Sequence, residues 1–321
     1  MTLSLTRRGL LGAALALGLA GPSAADFPDR PVTLVIPFAA GGSTDVVGRI
    51  VAERMGAALG QQIVVQNVGG AGGSLGAGQV AQADPDGYTI LMGTVATHAL
   101  NPLILKQKPY DPVADFAPIS LLVVVPNVLA VNPELPVETV EELIELAKTE
   151  PLAYASSGNG TPLHLSGELF KSMAGIDLIH IPYKGSGPAL TDVLGNQVPI
   201  IFDNLPSASG HITSGKLRAL GVMTAERAPS FPDVPTIAET LPGYETYTWN
   251  ALFAPAGTPP EAIAKLNEAA LAAMADPAVA ERMTEFSATI VASSPEALAE
   301  HVAAEMTKWE PVVRDANVSL D

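Results

Sequence analysis

Short apolar runs and amphipathic stretches of helical period alternate along most of this chain. Residues 32–37, 63–66, 89–92 and 121–125 are rich in β-branched and aliphatic side chains and read as strands. Between them, residues 45–59 put Val46, Val47, Ile50, Val51 and Met55 on one face of a helix, and residues 74–83 read as another. The alternation predicts an α/β fold with parallel strands. A second series follows, with strands at 128–131, 153–156, 178–181, 199–202 and 217–223, and helices at 137–148, 161–173, 187–194 and 207–214. After a strand at 249–254 the pattern becomes wholly helical, over 259–274, 277–286 and 295–315. A helical tail of that length needs an existing sheet to pack on. Residues 121–131 and 247–254 therefore read as two crossings between lobes, with one lobe from 26–125 plus 252–321 and the other from 126–251. No internal repeat or low-complexity segment interrupts this order.

The first residues do not belong to that pattern. Arg7 and Arg8 precede an apolar run too short to cross about 30 Å of hydrocarbon, followed by small residues up to Ala25. This predicts a secretory signal peptide over 1–25, cleaved after Ala25, and a free protein in a bacterial periplasm. Thr6-Arg-Arg-Gly-Leu-Leu11 also fits a twin-arginine export signal, although a general signal peptide carries basic residues there too. The chain has no Cys, so it has neither disulfides nor a lipid-anchored cysteine. Its formal charge of −16 becomes more negative once Arg7 and Arg8 leave, and no basic block offsets it. Such a surface repels nucleic acid and anionic lipid. Salt screens the same field over ~8–10 Å, so oriented dipoles in a cleft still win locally for a small anion.

One stretch supplies such dipoles. In Phe38-Ala-Ala-Gly-Gly-Ser-Thr-Asp45 a strand breaks into a glycine pair and restarts as a helix. Gly41 and Gly42 permit unusual backbone angles and close approach, Ser43 or Thr44 can cap, and the free N–H groups lie at the positive end of the helix dipole. Ser156-Ser-Gly-Asn-Gly-Thr-Pro-Leu-His164 repeats this chemistry in the second lobe, with Pro162 suited to a first helical turn. Two such ends facing across a cleft suit a carboxylate, and closure follows from a ligand bridging both lobes.

Six blocks occur in the order expected for the solute receptors of tripartite tricarboxylate transporters, the Bug receptors. They begin at Pro31, Val68, Asp84, Ser156, Phe202 and Phe253, and the last reads Phe-Ala-Pro-Ala-Gly-Thr-Pro259. The chain resembles that family over essentially its whole length beyond residue 25. The resemblance implies a two-lobed, hinge-closing periplasmic binding protein, type II-like. Each lobe would be a mostly parallel sheet flanked by helices, with the helical C-terminal segment on the first lobe. It further implies a monomer without cofactor or metal that carries a di- or tricarboxylate, or a related acid, to membrane permease subunits. In the family the first glycine loop contacts the ligand carboxylate, partly through water, and Ala40, Gly41, Gly42 and Ser43 occupy the matching positions beside Phe38.

Asp45 reads either as a first-turn complement to the dipole or as a chooser of ligands bearing a donor. Thr94, Thr97 and His98 follow the strand at 89–92, where an open α/β sheet places ligands; a packed turn is the alternative for His98. In the second lobe Ser156, Ser157, Gly158, Thr161 and His164 are candidates. Asp203 is another, either touching ligand or holding Ser157 or its loop. Lys184 is a minor candidate cation. Trp249 and Phe253 either wall the cleft or pack the hinge, and Trp249-Asn-Ala251 stands where many relatives have a glycine.

The enzyme alternative is Gly72-Gly-Ser-Leu-Gly76, which matches the elbow of serine hydrolases with Ser74 as nucleophile. A true elbow follows its strand at once, whereas further glycines intervene here. Gly76-Ala-Gly78 opens a partial dinucleotide motif that lacks its acidic partner, and no zincin, Walker A or Cys-based metal pattern occurs.

Overall fold

A computed structural model describes residues 27–315, so the expected leader and its cleavage point lie outside the described residues. The chain runs β1 (Val32–Ile36), α1 (Ser43–Leu59), β2 (Ile63–Asn67), α2 (Ser74–Ala81), β3 (Thr89–Thr94), a short α3 (Asn101–Ile104) and β4 (Phe116–Val131). It continues through α4 (Val140–Ala147), β5 (Ala153–Ser156), α5 (Pro162–Ala174), β6 (Ile179–Pro182), α6 (Ser186–Leu194), β7 (Ile200–Asn204), α7 (Leu205–Thr213) and β8 (Arg218–Val222). It ends with β9 (Tyr247–Pro255), α8 (Pro260–Met274), α9 (Pro277–Glu285), β10 (Thr289–Ile290) and α10 (Pro295–Asp315).

The strands pair in the order β2-β1-β3-β9-β4-β7-β5-β6, with β8 and β10 also on β4. Each half of this path carries a parallel trio, β2-β1-β3 and β7-β5-β6. Every pairing that involves β4 or β9 is antiparallel, so the parallel character stops at the strands joining the halves. Those two strands return along each other's length, with Val125 opposite Thr248 and Pro126 opposite Tyr247.

β4 corrects the expectation of two separate strands at 121–125 and 128–131. It is one strand that would span roughly 50 Å fully extended, long enough to serve both halves. Pro126 does not break it because it stands where the β9 ladder ends and the β7 and β8 ladders begin, so its missing N–H costs no central bond. β10 corrects the expectation of a wholly helical tail, since Thr289 and Ile290 pair with Val124 and Val123. α4 starts later than residue 137 because the Thr139 side chain accepts from Glu142 N–H and fixes the cap there.

Helices cover both faces of each half, as a doubly wound sheet requires. Under α1 and α8, Leu34, Ile36, Val51, Met92, Leu122 and Leu266 form one core. Val35, Leu91, Leu100, Trp249 and Phe253 form another under α2 and α10. In the second half Tyr154, Phe170, Phe202 and Tyr244 pack on one face, and Ala155, Leu190 and Ile201 on the other. The C-terminal α10 is fixed to β9 by Glu305, which accepts from Tyr247 Oη, Trp249 Nε1 and Trp309 Nε1 at 3.0, 3.0 and 3.3 Å. Among the described residues no helix is long and apolar enough to cross a membrane.

Candidate functional site

Glycine turns at residues 39–42 and 184–187 come together at a seam. Ala39 N–H donates to Lys184 O at 2.9 Å across it. A Cβ on Gly187 would collide with Ala40 O, so only glycine lets these backbones approach so closely. Behind the seam lies a cavity lined by Phe38, Gly42, Ser43, Thr44, Thr94 and Thr248 from one half and by Ser157, Thr161, Pro162, Leu163, Ser186 and Asn204 from the other. It is small, with a volume of about 20 Å³ open to the centre of a water molecule. That is room for one or two waters, so a guest of several carbons fits only when the walls part slightly.

The first wall is built on the turn between β1 and α1. Gly41 takes φ +83° and donates its N–H to Asp45 Oδ2 at 3.0 Å, which folds the turn back onto its own helix. Asp45 also accepts from Arg49 Nε at 3.0 Å and Asn67 Nδ2 at 2.9 Å. Burial alone would raise its carboxyl, but the bonds from Arg49, Gly41 and Asn67 outweigh burial and hold it below the ordinary value. Both oxygens are therefore committed to the loop. Gly42 precedes α1 without a side-chain cap, so the first N–H groups of that helix are left uncapped where Gly42, Ser43 and Thr44 line the cavity. Ser43 Oγ, Thr94 Oγ1 and Thr248 Oγ1 are buried with no hydrogen-bond partner, and all three residues line the cavity.

The second wall is held from behind. Thr161 caps α5 by accepting from His164 N–H at 3.3 Å, and donates to Gly158 O at 2.8 Å. Ser156, fully buried, bonds His180 Nε2 at 2.7 Å and accepts from Gly158 N–H at 3.2 Å. His164 accepts from Gly160 N–H at 3.1 Å and stacks on His180 with centroids 4.0 Å apart. Ser156, Gly158 and His164 thus shape the loop without lining the cavity. Burial, then the neighbouring His164, pushes His180 down to about 3.

Asp203 is fully buried and does not reach Ser157, contrary to one expectation. Its Oδ1 accepts from Ser186 Oγ at 2.5 Å and its Oδ2 from Ser207 Oγ at 2.8 Å. Burial raises its carboxyl to about 6 against these bonds.

Several expected contacts stand elsewhere. Thr97 and His98 lie behind the first wall, where Thr97 Oγ1 accepts from Thr94 N–H and bonds His98 Nδ1, both at 2.9 Å. His98 stacks on Phe253 with centroids 3.7 Å apart, and burial lowers it to about 3. Ala40 and Gly41 sit exposed at the seam, as does Lys184, which offers only its carbonyl there. Trp249 points to Glu305, away from the cavity. Thr44, Pro162, Leu163, Ser186, Asn204 and Thr248 line the cavity without having been expected as contacts. The signal for Thr248 was the alternation Thr246, Thr248, Asn250 against Tyr247 and Trp249, because side chains on a strand change face at every residue. Among the described residues no charged side chain and no histidine lines the cavity.

The hydrolase reading finds no support here. Ser74 is buried at the start of α2, after a short 3₁₀ turn at Ala71–Gly73 rather than directly after a strand. Its Oγ accepts from Asn101 Nδ2 at 2.8 Å, and among the described residues no histidine bonds it.

Residues 47–318 match the family described as Tripartite tricarboxylate transporter family receptor. The chain belongs to this family. It is 39% identical over 308 residues to Protein BugT of Bordetella pertussis, spanning 94% of each chain. Its fold is similar to that of R. palustris Rpa4515 with adipate, at TM-score 0.88 and 40% identity, covering 92% of this chain and 99% of that one. It is also similar to MatC from Rhodopseudomonas palustris with bound malate, at TM-score 0.85 and 36% identity, covering 89% and 100%.

Proposed function

We propose that the protein is a periplasmic receptor that closes its two halves over a small organic acid and delivers it, unchanged, to the permease of a tripartite tricarboxylate transporter. The lobes in this reading are residues 26–125 with 252–321, and residues 126–251, moving about β4 near Pro126 and β9 near Tyr247. The observation that carries it is the cavity at their junction, where Ser43, Thr94 and Thr248 bring three buried, partnerless hydroxyls to one place. A buried polar group without a partner costs free energy, and a carboxylate accepting from those hydroxyls and from the N–H groups at α1 removes that cost. The family membership, and the adipate and malate held by two similar structures, support the ligand class.

Export by a cleaved leader and action as a monomer belong to the same reading. Catalysis does not, because among the described residues no histidine bonds Ser74, and the carboxylates of Asp45 and Asp203 are committed to the protein. The test is thermal unfolding of residues 26–321 against dicarboxylates, tricarboxylates, amino acids and esters. A bound acid at about 100 times its Kd adds about 2.7 kcal/mol of stability. Stabilisation by none of the acids, or turnover of an ester that Ser74→Ala abolishes, overturns the proposal.

A further inference from the structure

On the second wall Ser186, Thr161 and Asn204 differ from the partnerless hydroxyls of the first in that each already donates a proton to a protein partner. A serine hydroxyl has one proton, and that of Ser186 goes to Asp203 Oδ1 at 2.5 Å. Asp203 cannot turn away, since its other oxygen accepts from Ser207 and the Asn204 N–H also bonds the carboxylate. Ser186, which lines the cavity, is left with lone pairs only.

The orientation of Asn204 follows from a longer chain. The carbonyl of Pro162 can only accept, and Ser166 Oγ donates to it at 2.7 Å. With its proton so placed, Ser166 accepts from Thr246 Oγ1 at 2.7 Å, and Thr246 in turn accepts from Asn127 Nδ2 at 3.1 Å. That turns Asn127 Oδ1 toward Asn204, whose Nδ2 donates to it at 2.5 Å. One N–H of the Asn204 amide is spent in this way, and its amide oxygen is the acceptor that this cavity-lining residue carries.

We infer that this wall selects an acid bearing a hydroxyl beside its carboxylate: Ser186 or Asn204 accepts the one hydroxyl proton, and Asp203 is the positioning residue that keeps Ser186 an acceptor. The inference rests on the receptor reading above and names the ligand class within it. A neutral donor fits better than an ammonium, because among the described residues no ionised side chain lines the cavity and the oxygens of Asp45 and Asp203 are committed to the protein. A buried acceptor left unpaired by an unsubstituted acid supplies the discrimination.

Calorimetric titration with matched pairs tests this: malonate with tartronate, succinate with malate, glutarate with 2-hydroxyglutarate, and aspartate as the ammonium analogue. In at least one pair the hydroxy acid binds tighter by about tenfold or more. In Asp203→Asn the new amide donates to Ser186, whose proton then turns to the cavity, and the preference shrinks to within about threefold or inverts. Ser186→Ala removes the acceptor outright, lowers the same ratio and serves if the first variant does not fold. A loss of packing alone would weaken both members of a pair and leave their ratio unchanged. Binding of the acids with no preference for the hydroxyl, preference for aspartate, or an unchanged ratio in both variants overturns the inference. Binding of no acid at all overturns the receptor reading and this inference with it.

Discussion

The two walls of the cavity present similar atoms in opposite states. On the first, Ser43, Thr94 and Thr248 have no partners, and each hydroxyl is free to rotate toward whatever arrives. On the second, Ser186 is committed to Asp203, Thr161 to Gly158 and Asn204 to Asn127. One wall adapts and the other discriminates. The first is built from the start of α1, the end of β3 and the shared strand β9, and the second from loops propped by a buried layer of serine, histidine and aspartate. A histidine depressed to about 3 by burial stands behind each, His98 behind Thr94 and His180 behind the loop that carries Ser157.

The largest expected effect comes from those histidines in acid. Unfolded, each takes a proton near pH 6.5; folded, each resists it until about pH 3. Between those values the unfolded state binds more protons, so stability falls as pH drops from about 6.5 toward 3, and above 6.5 neither contributes. The loss through the fully buried His98 is on the order of a few kcal/mol, and less through the partly exposed His180. Chemical denaturation from pH 8 to 4 should show a slope that His98→Gln flattens more than His180→Gln does. Equal slopes in wild type and His98→Gln would mean that the first wall is not held by a neutral ring.

The next effect separates the walls physically. Gly187→Ala places a methyl against Ala40 O and wedges the seam at its closest point. Affinity for the bound acid should fall by about a hundredfold or more, because contacts to one wall are lost. Stability should hold or rise by up to ~1 kcal/mol, since alanine is the better residue in α6. An affinity within threefold of wild type would show that closure does not depend on this seam.

How much of this contrast was legible in the sequence follows from where each signal lives. The adaptable wall was partly visible, because glycines before an amphipathic run announce a helix N-terminus, and Phe38, Gly42, Ser43 and Thr94 do line the cavity. The committed wall was visible as the Ser157 to Thr161 turn but not as Ser186, whose importance comes from Asp203, 17 residues away in sequence and in bonding contact only once β7 and α6 are laid together. His98 misled for a related reason: it follows a strand end, where ligands bind, yet stacking on Phe253 turns its ring into the core. The fold was easier, since strand and helix periods are local. The joining strands were harder, since Pro126 looks like a break until the change of ladder partners is seen.

The smallest effects sharpen the contrast most, because they predict opposite signs for one chemical change. Thr94→Val and Thr248→Val each delete a buried hydroxyl that bonds nothing in the protein, so stability should stay level or rise by up to ~1 kcal/mol. The same substitutions remove a donor from the cavity, and affinity for the acid should fall by about tenfold, which is one hydrogen bond to a charged group. Thr161→Val makes the same swap on the second wall, where the hydroxyl caps α5 and ties Gly158. Stability should fall there by about 1 kcal/mol, together with affinity. Thermal unfolding and calorimetric titration of the three variants place them on a plane of stability against affinity. If Thr94→Val and Thr248→Val lost stability as Thr161→Val does, their hydroxyls would have partners inside the protein, and the distinction between an adaptable wall and a committed one would collapse.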